Sequence, residues 1–194
     1  MTSLRNASLA ALLLCAALHA EDRSFWIEPC SVMTTDCQAG DAELARWALQ
    51  AWEKASVGRL HFVETKDRDT ALFRIRWADK DSGLYGEAVP IQVGSRMGAE
   101  LHIQLPGNQA NDKLLRDTIV YLTCLHESGH GLGLAHTRAF ADIMYSFQYG
   151  GDLIEYFARY RRRLTSRSDI PKNSGMSEAD QSTLIKRVDQ AVSR

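Results

Sequence analysis

The sequence lacks the features that mark several classes of protein. Its 23 basic and 24 acidic residues leave a formal net charge of -1, so charge gives no reason to expect a nucleic-acid partner. It has no internal repeat, no low-complexity linker and, beyond the N-terminus, no apolar run long enough to span a membrane. With 194 residues and 45% hydrophobic content, the chain suits one globular domain with its own core.

The first twenty residues differ from the rest of the chain. A basic residue precedes the apolar run ASLAALLLCAALHA, which ends at Ala20 before the polar residues EDRS. This pattern is typical of a secretory signal peptide over residues 1–20, and it predicts a secreted or periplasmic chain of residues 21–194. Cys15 makes a lipoprotein the less favoured alternative, since the leucine before it is larger than a lipid-attachment site usually accepts.

Cysteines are few, and three of the four remain once the predicted signal peptide is removed. In an exported protein Cys30 and Cys37 can close a small loop as a disulfide. Cys124 is then left over among leucine and tyrosine residues. We expect a buried, unreactive thiol at that position.

Hydrophobic periodicity predicts the order strand, helix, three or four strands, helix. The segments with strand-like composition or alternation are RSFWIEPCSV, RLHFVET, ALFRIRWA, GEAVPIQV and AELHIQLP. Asp41 can cap the first helix, and Asn111 or Asp112 can open the second, which runs through KLLRDTIVYLTCLHESGHGL. Because GEAVPIQV contains a proline, we place it at a sheet edge.

The segment 149–175 has the character of an insertion. An apolar stripe at helical spacing runs through Leu153, Phe157, Tyr160 and Leu164. The opposite face carries four arginines, at positions 159, 161, 162 and 163. We interpret them as a solvated face, with contact to an acidic partner or substrate as the alternative. A last helix follows Ser177, where SEAD is typical of a capped start.

The run TCLHESGHGLGLAHTRAFADIMYS holds three of the six histidines. His126 and His130 are four residues apart, so on a helix they project from one face and can reach one metal ion. Glu127 lies about 100° around that helix, where it is poorly placed as a ligand but well placed to take a proton from a metal-activated water. Gly133 can take a positive φ and end the helix, which would return His136 to the same ion.

Three neutral histidines with one open position make the donor set of a catalytic zinc site. Nickel, copper or cobalt could occupy the same ligands, but three imidazoles without a thiolate suit zinc. The five fixed positions would occur by chance in a chain of this length at a frequency on the order of 10⁻⁵. A purely structural zinc site would normally be closed by a fourth protein ligand.

This motif resembles that of the metzincin zinc endopeptidases, and the flanking sequence is similar to the matrixins among them. The resemblance covers about residues 24–190 and rests on ALQAWEKAS, LHFVET, ALFRIRW and IMYS. It implies that Met144 forms an apolar floor beneath the metal without being a ligand. Ser146 stands where the matrixin turn has a proline.

The resemblance implies an α+β fold of the metzincin type. We expect a twisted mixed sheet of about five strands packed on two long helices, with a C-terminal subdomain that carries the methionine turn and a last helix. One catalytic Zn²⁺ and a protein or peptide substrate are implied, for a monomer without a membrane segment after signal removal. A structural Ca²⁺ or a second zinc also occurs in matrixins, but His61 and His102 have no Asp-rich loop around them.

The sequence therefore predicts an exported zinc-dependent endopeptidase that hydrolyses peptide bonds by metal-activated water, with Glu127 as general base. The alternative is a non-catalytic zinc-containing binding protein that keeps the fold. That alternative gains weight because the first strand begins soon after Ala20, which leaves no room for a matrixin propeptide. EPCSVMTTD faintly resembles the matrixin cysteine switch, so a Cys30 thiolate on zinc is the alternative to the disulfide.

Overall fold

The structure is a computed structural model that describes residues 20–31, 36–78, 85–107 and 112–192. The predicted signal peptide lies outside the described residues, except for Ala20. Asn111, one of the two candidates for the start of the second long helix, also lies outside them. Among the residues described, no helix has the length and apolar character needed to cross a bilayer.

Five strands form one mixed sheet. They are β1 (Glu21–Ile27), β2 (Leu60–Glu64), β3 (Phe73–Ala78), β4 (Gly86–Val93) and β5 (Arg96–Gln104), in the spatial order β2–β1–β3–β5–β4. β1 pairs in parallel with β2 and β3, β3 pairs in parallel with β5, and β4 is antiparallel to β5. The predicted mixed sheet is confirmed, and GEAVPIQV forms its edge strand β4.

Four helices occur in the described part of the chain. They are α1 (Asp41–Ala55), α2 (Lys113–Gly131), α3 (Leu153–Arg161) and α4 (Glu178–Val192), with 3-10 turns at Phe147–Tyr149 and Arg167–Lys172. α1 and α2 pack on each other and on the sheet. Trp52 of α1 is fully buried, and its indole N–H donates to the Leu125 carbonyl (2.9 Å) and the Ser128 hydroxyl (3.0 Å) of α2. This contact fixes the second half of α2 against α1.

Two of the predicted helix starts are confirmed. The Asp112 carboxylate accepts a hydrogen bond from the Leu115 amide and caps α2. Before α4, the Ser177 amide donates to Asp180, and the Asp180 amide donates back to the Ser177 hydroxyl. This reciprocal pair is a capping box, as SEAD predicts.

Asp41 is not the helix cap that the sequence suggests. Gly40 occupies the cap position without a side-chain hydrogen bond, and Asp41 is the first residue of α1. The Asp41 carboxylate is buried and accepts from two nitrogens of Arg116, at 2.7 and 2.9 Å. A bidentate arginine compensates the desolvation of the carboxylate, so a charge can be buried at this point.

The segment 149–175 packs onto the rest of the protein. Its predicted apolar stripe is buried or partly buried against the core. The predicted solvated face is confirmed for Arg162 and Arg163, which are exposed. It is wrong for Arg159, whose guanidinium lies over the rings of Phe140 (4.8 Å) and Tyr156 (4.5 Å). Part of this basic face therefore stabilises the fold through cation–π contacts.

The cysteines lie as the sequence suggests. Cys30 and Cys37 form a disulfide with a Cα–Cα distance of 5.5 Å, so Cys30 has no free thiolate to offer a metal. Cys124 is free and buried, and burial raises the pKa of its thiol far above the usual value. A protonated, inaccessible thiol is unreactive.

Candidate metal centre

Three imidazole rings meet where α2 ends. His136 Nε2 lies 3.2 Å from His126 Nε2 and 3.0 Å from His130 Nε2. The three ligand atoms all lie within 4.8 Å of one another. Zn–N bonds of about 2.0–2.1 Å in tetrahedral geometry separate two ligand nitrogens by about 3.3–3.4 Å. Two of the three separations are therefore close to the spacing that one tetrahedral ion requires.

Hydrogen bonds orient two of these rings. His126 Nδ1 lies 2.7 Å from the Ile143 carbonyl, and His130 Nδ1 lies 2.9 Å from the Leu134 carbonyl. When Nδ1 donates as N–H in a neutral imidazole, Nε2 keeps its lone pair. Burial lowers the pKa of His126 to about 4, although the hydrogen bond to Ile143 opposes this, and burial also lowers the pKa of His136. Both rings are neutral at pH 7, which is the form that binds metals.

Gly133 explains the six-residue step between the second and third histidines. Its φ is +83°, a left-handed conformation that favours glycine. The Leu134 amide donates to the Gly129 carbonyl (3.0 Å), and the Gly133 amide donates to the His130 carbonyl (2.8 Å). These two bonds form a Schellman motif, which ends α2 and turns the chain so that His136 faces its last turn.

Met144 packs against the second half of α2, at Gly129. Its side chain is 2% exposed, and a Cβ added at Gly129 would lie 2.4 Å from the Met144 sulfur. The Thr137 amide donates to the Met144 carbonyl (2.8 Å), and the Ser146 amide donates to the Thr137 carbonyl (3.2 Å). Thr137, the residue after His136, is therefore hydrogen-bonded to the residues on either side of Tyr145. Gly129 leaves space for the Met144 sulfur.

Two residues that the sequence did not assign to the site hold this turn. The Asp180 carboxylate accepts from the amides of Ile143 (2.8 Å) and Met144 (3.4 Å). The Tyr156 hydroxyl donates to the Ile143 carbonyl at 3.3 Å, the same carbonyl that accepts from His126. The sequence shows Asp180 only as part of a helix cap, and no local pattern points to contacts across 36 residues.

Glu127 is the carboxyl beside this cluster. It is 6% exposed, and a Cβ added at Gly86 of β4 would lie 2.8 Å from Glu127 Oε1. Burial raises the pKa of Glu127 to about 8, and the nearby Glu87 carboxylate adds to the rise. A divalent cation at the three imidazoles would oppose this rise, because positive charge stabilises the carboxylate. The group is thus able to take and return a proton near neutral pH.

The other two histidines of the predicted mature chain do not join the cluster. His61 Nδ1 lies 3.1 Å from Asp22, and His102 Nε2 lies 3.3 Å from Glu100. Within the described ranges, the three clustered imidazoles are the one group of three or more His, Cys, Asp or Glu side chains placed to hold an ion. The predictions of a structural calcium and of a second zinc therefore find no support in these residues.

Comparison with known proteins adds independent information. A family model described as matrixin, a peptidase family, matches residues 30–153, which is more than half of the chain and includes the three imidazoles, Glu127 and Met144. Among solved structures, archaemetzincin from Methanopyrus kandleri is similar with a TM-score of 0.47 and 14% sequence identity, over 91% of this chain and 99% of that chain. No curated protein matches the sequence significantly.

Proposed function

The chain belongs to the matrixin family of zinc peptidases, and from this premise we propose that it is an exported, monomeric endopeptidase that cleaves proteins or peptides. In this proposal His126, His130 and His136 hold the zinc ion, and Glu127 is the general base. The observation that carries it is the convergence of three imidazole nitrogens beside a buried carboxyl. Export rests on the signal-like composition of residues 1–20.

The free edge of β4 offers a place for the substrate. The Gln104 amide donates to the Tyr85 carbonyl (2.9 Å), and in an antiparallel pair alternate residues direct their main-chain groups toward the partner strand. Gly86, Ala88 and Pro90 therefore direct theirs away from β5. Pro90 is tolerated because its missing N–H would face outward. A substrate strand antiparallel to β4 can then pair with the N–H and C=O of Ala88.

The chemistry follows from the position of Glu127. Bound zinc would supply a Lewis acid that polarises the scissile carbonyl and makes water more acidic. Glu127 takes a proton from the attacking water, whose oxygen forms a bond to the carbonyl carbon. The C–N bond then breaks, and Glu127 passes the proton to the departing nitrogen. No covalent adduct with the protein is formed.

Digestion of casein or gelatin with and without a chelator tests this function. We expect zinc-dependent cleavage, and we expect Glu127→Gln to bind zinc but to cleave at least about 10²-fold more slowly, the lower end of what general acid–base catalysis contributes. Glu178→Gln, an exposed control on α4, should keep full activity. Cleavage by Glu127→Gln at the full rate would contradict the mechanism. Absence of cleavage by zinc-loaded wild type would favour the alternative, a zinc-containing binding protein.

A further inference from the structure

A groove of about 260 Å³ opens beside His130, and no step of the hydrolysis described above uses it. Its walls come from the β4–β5 hairpin, from the C-terminal ends of α2 and α4, and from Arg23 of β1 and Leu60 of β2. Apolar side chains form much of the lining, among them Ala88, Pro90, Met97 and Val188. The groove thus continues from the free edge of β4 past one of the three clustered imidazoles.

Arg187 of α4 brings a positive charge to this groove. Its guanidinium rests against the turn that ends α2, since a Cβ added at Gly133 would lie 2.6 Å from Arg187 Nε. The side chain is exposed and makes no ion pair with any residue that the structure describes. An exposed guanidinium without an acidic partner among the described residues can bind a carboxylate in bidentate fashion.

Arg23 of β1 lines the same groove and is only partly satisfied. One terminal nitrogen donates to Glu21 at 2.7 Å, whereas its Nε is buried without a hydrogen-bond partner. Glu21 balances the charge of Arg23. Arg187 is therefore the guanidinium of this groove that is available to an anionic group.

The direction of the substrate strand decides which residue reaches the groove. β4 runs from Gly86, which lies against Glu127, to Pro90, which lines the groove. A substrate antiparallel to β4 has its amino-terminal part beside Pro90. The side chains that reach the groove are thus those on the amino side of the scissile bond.

We propose that this groove binds an acidic substrate side chain on the amino side of the cleaved bond, with Arg187 as its charge partner. The inference rests on the proposed endopeptidase function and adds a substrate preference to it. Apolar walls suit the methylene groups of a glutamate, while the guanidinium binds its carboxylate. Arg187 is a specificity residue in this assignment, and it takes no part in bond cleavage.

Fluorogenic peptides that differ at one residue test the preference. Each series places Glu, Gln or Lys two, three or four residues before the scissile bond. For wild type we expect, at one of these positions, kcat/KM for the Glu peptide to exceed that for the Gln peptide by about two- to fivefold, as an exposed ion pair would give. Arg187→Gln should abolish the ratio, and Arg187→Glu should shift the preference to the Lys peptide.

Arg163→Gln is the matched control, because Arg163 is also exposed, at the end of α3, and should keep the wild-type ratio. The Gln peptide reports cleavage itself, which all of these variants should retain. Equal cleavage of Glu and Gln peptides by wild type at every position would overturn the groove assignment and leave the peptidase function standing. If no peptide is cleaved, the fluorescence anisotropy of labelled Glu and Gln peptides decides the point, and equal affinities overturn the assignment.

Discussion

The two halves of α2 both bury charged or titratable side chains, but they treat them differently. The first half, which we call the paired end, carries Arg116 and Asp117. Arg116 binds Asp41 at 2.7 Å, and Asp117 binds Arg167 at 2.8 Å. Each of these two buried charges therefore has an opposite charge beside it, and the four residues join α2 to α1 and to the segment after α3.

The second half, which we call the open end, carries His126, Glu127 and His130. Here the Nε2 atoms of His126 and His130 lie 3.2 and 3.0 Å from His136 Nε2, and in the tautomer that carries its proton on Nδ1 their lone pairs point at it. Lone pairs gain nothing from such proximity, whereas a cation between them would bind all three. The contrast teaches that buried polar groups with partners hold a fold, while converging groups without partners are placed for a ligand.

The largest effect is expected from His130→Ala at the open end. Removing one of three proposed ligands should lower bound zinc and reduce proteolysis to the uncatalysed background. The metal-free variant should unfold at nearly the same temperature as metal-free wild type, because without a metal the imidazole contributes little to folding stability. Zinc content, casein digestion and thermal melting measure the three quantities. His61→Ala, an exposed histidine outside the cluster, should change none of them.

The proposed difference between the two ends would be wrong if metal-free His130→Ala were as unstable as a variant of the paired end. Arg116→Ala is that variant, and it leaves the Asp41 carboxylate buried without its partner. We expect a loss of about 3–5 kcal/mol in the free energy of unfolding, measured by urea denaturation of the metal-free protein. Arg162→Ala, which breaks the exposed pair with Glu155, should cost far less, because water screens both charges.

A double variant separates the missing charge from the missing contacts. Asp41→Leu combined with Arg116→Met replaces both ions by apolar groups, and it should recover much of the stability lost in Arg116→Ala. A loss below about 1 kcal/mol for Arg116→Ala would show that the paired end does not hold the fold.

The open end could be predicted from the sequence because its information is local. His126, His130 and His136 are separated by four and six residues. Helix geometry and one bend at a glycine bring residues with these spacings close together. The edge position of β4 could be predicted for a similar reason, since Pro90 restricts where its strand can lie. Patterns of this kind need no knowledge of the remainder of the chain.

The paired end could not be predicted in this way. Asp41 and Arg116 lie 75 residues apart, and the local pattern around Asp41 favoured a helix cap. The contacts of Asp180 with the methionine turn are equally distant in sequence. The neighbours of two glycines of α2 are distant in the same way: Gly129 meets the Met144 sulfur, and Gly131 meets the Phe73 ring.

Those two glycines give the next prediction. A Cβ added at Gly129 would lie 2.4 Å from the Met144 sulfur, and one at Gly131 would lie 2.5 Å from a Phe73 ring carbon. Each change to alanine should cost about 1–3 kcal/mol through overpacking, offset by about 1 kcal/mol of helix propensity. Zinc affinity should fall more in Gly129→Ala, because that change displaces the floor under the rings. Equal affinities, measured with a competing chelator, would show that Met144 does not support the site.

The smallest effect concerns Asp169, which stabilises the segment that brings Arg167 to the paired end. Its carboxylate accepts from the Thr165 hydroxyl and amide, from the Ser166 amide, and from Lys172. These interactions, with the Thr165 hydroxyl first, hold the pKa of Asp169 well below its usual value of 3.8. The stabilisation is therefore complete above pH of about 4 and is lost as pH falls through the folded-state pKa.

Asp169→Asn removes this charge at every pH, so the wild-type advantage in melting temperature should be constant from pH 7 to pH 5 and shrink toward pH 3. The advantage is small, because the carboxylate is partly exposed and water screens its interactions. Zinc content should stay unchanged, since the open end does not contact this segment. If the difference in melting temperature between wild type and Asp169→Asn were as large at pH 3 as at pH 7, the shape of the side chain, and not its charge, would support the paired end.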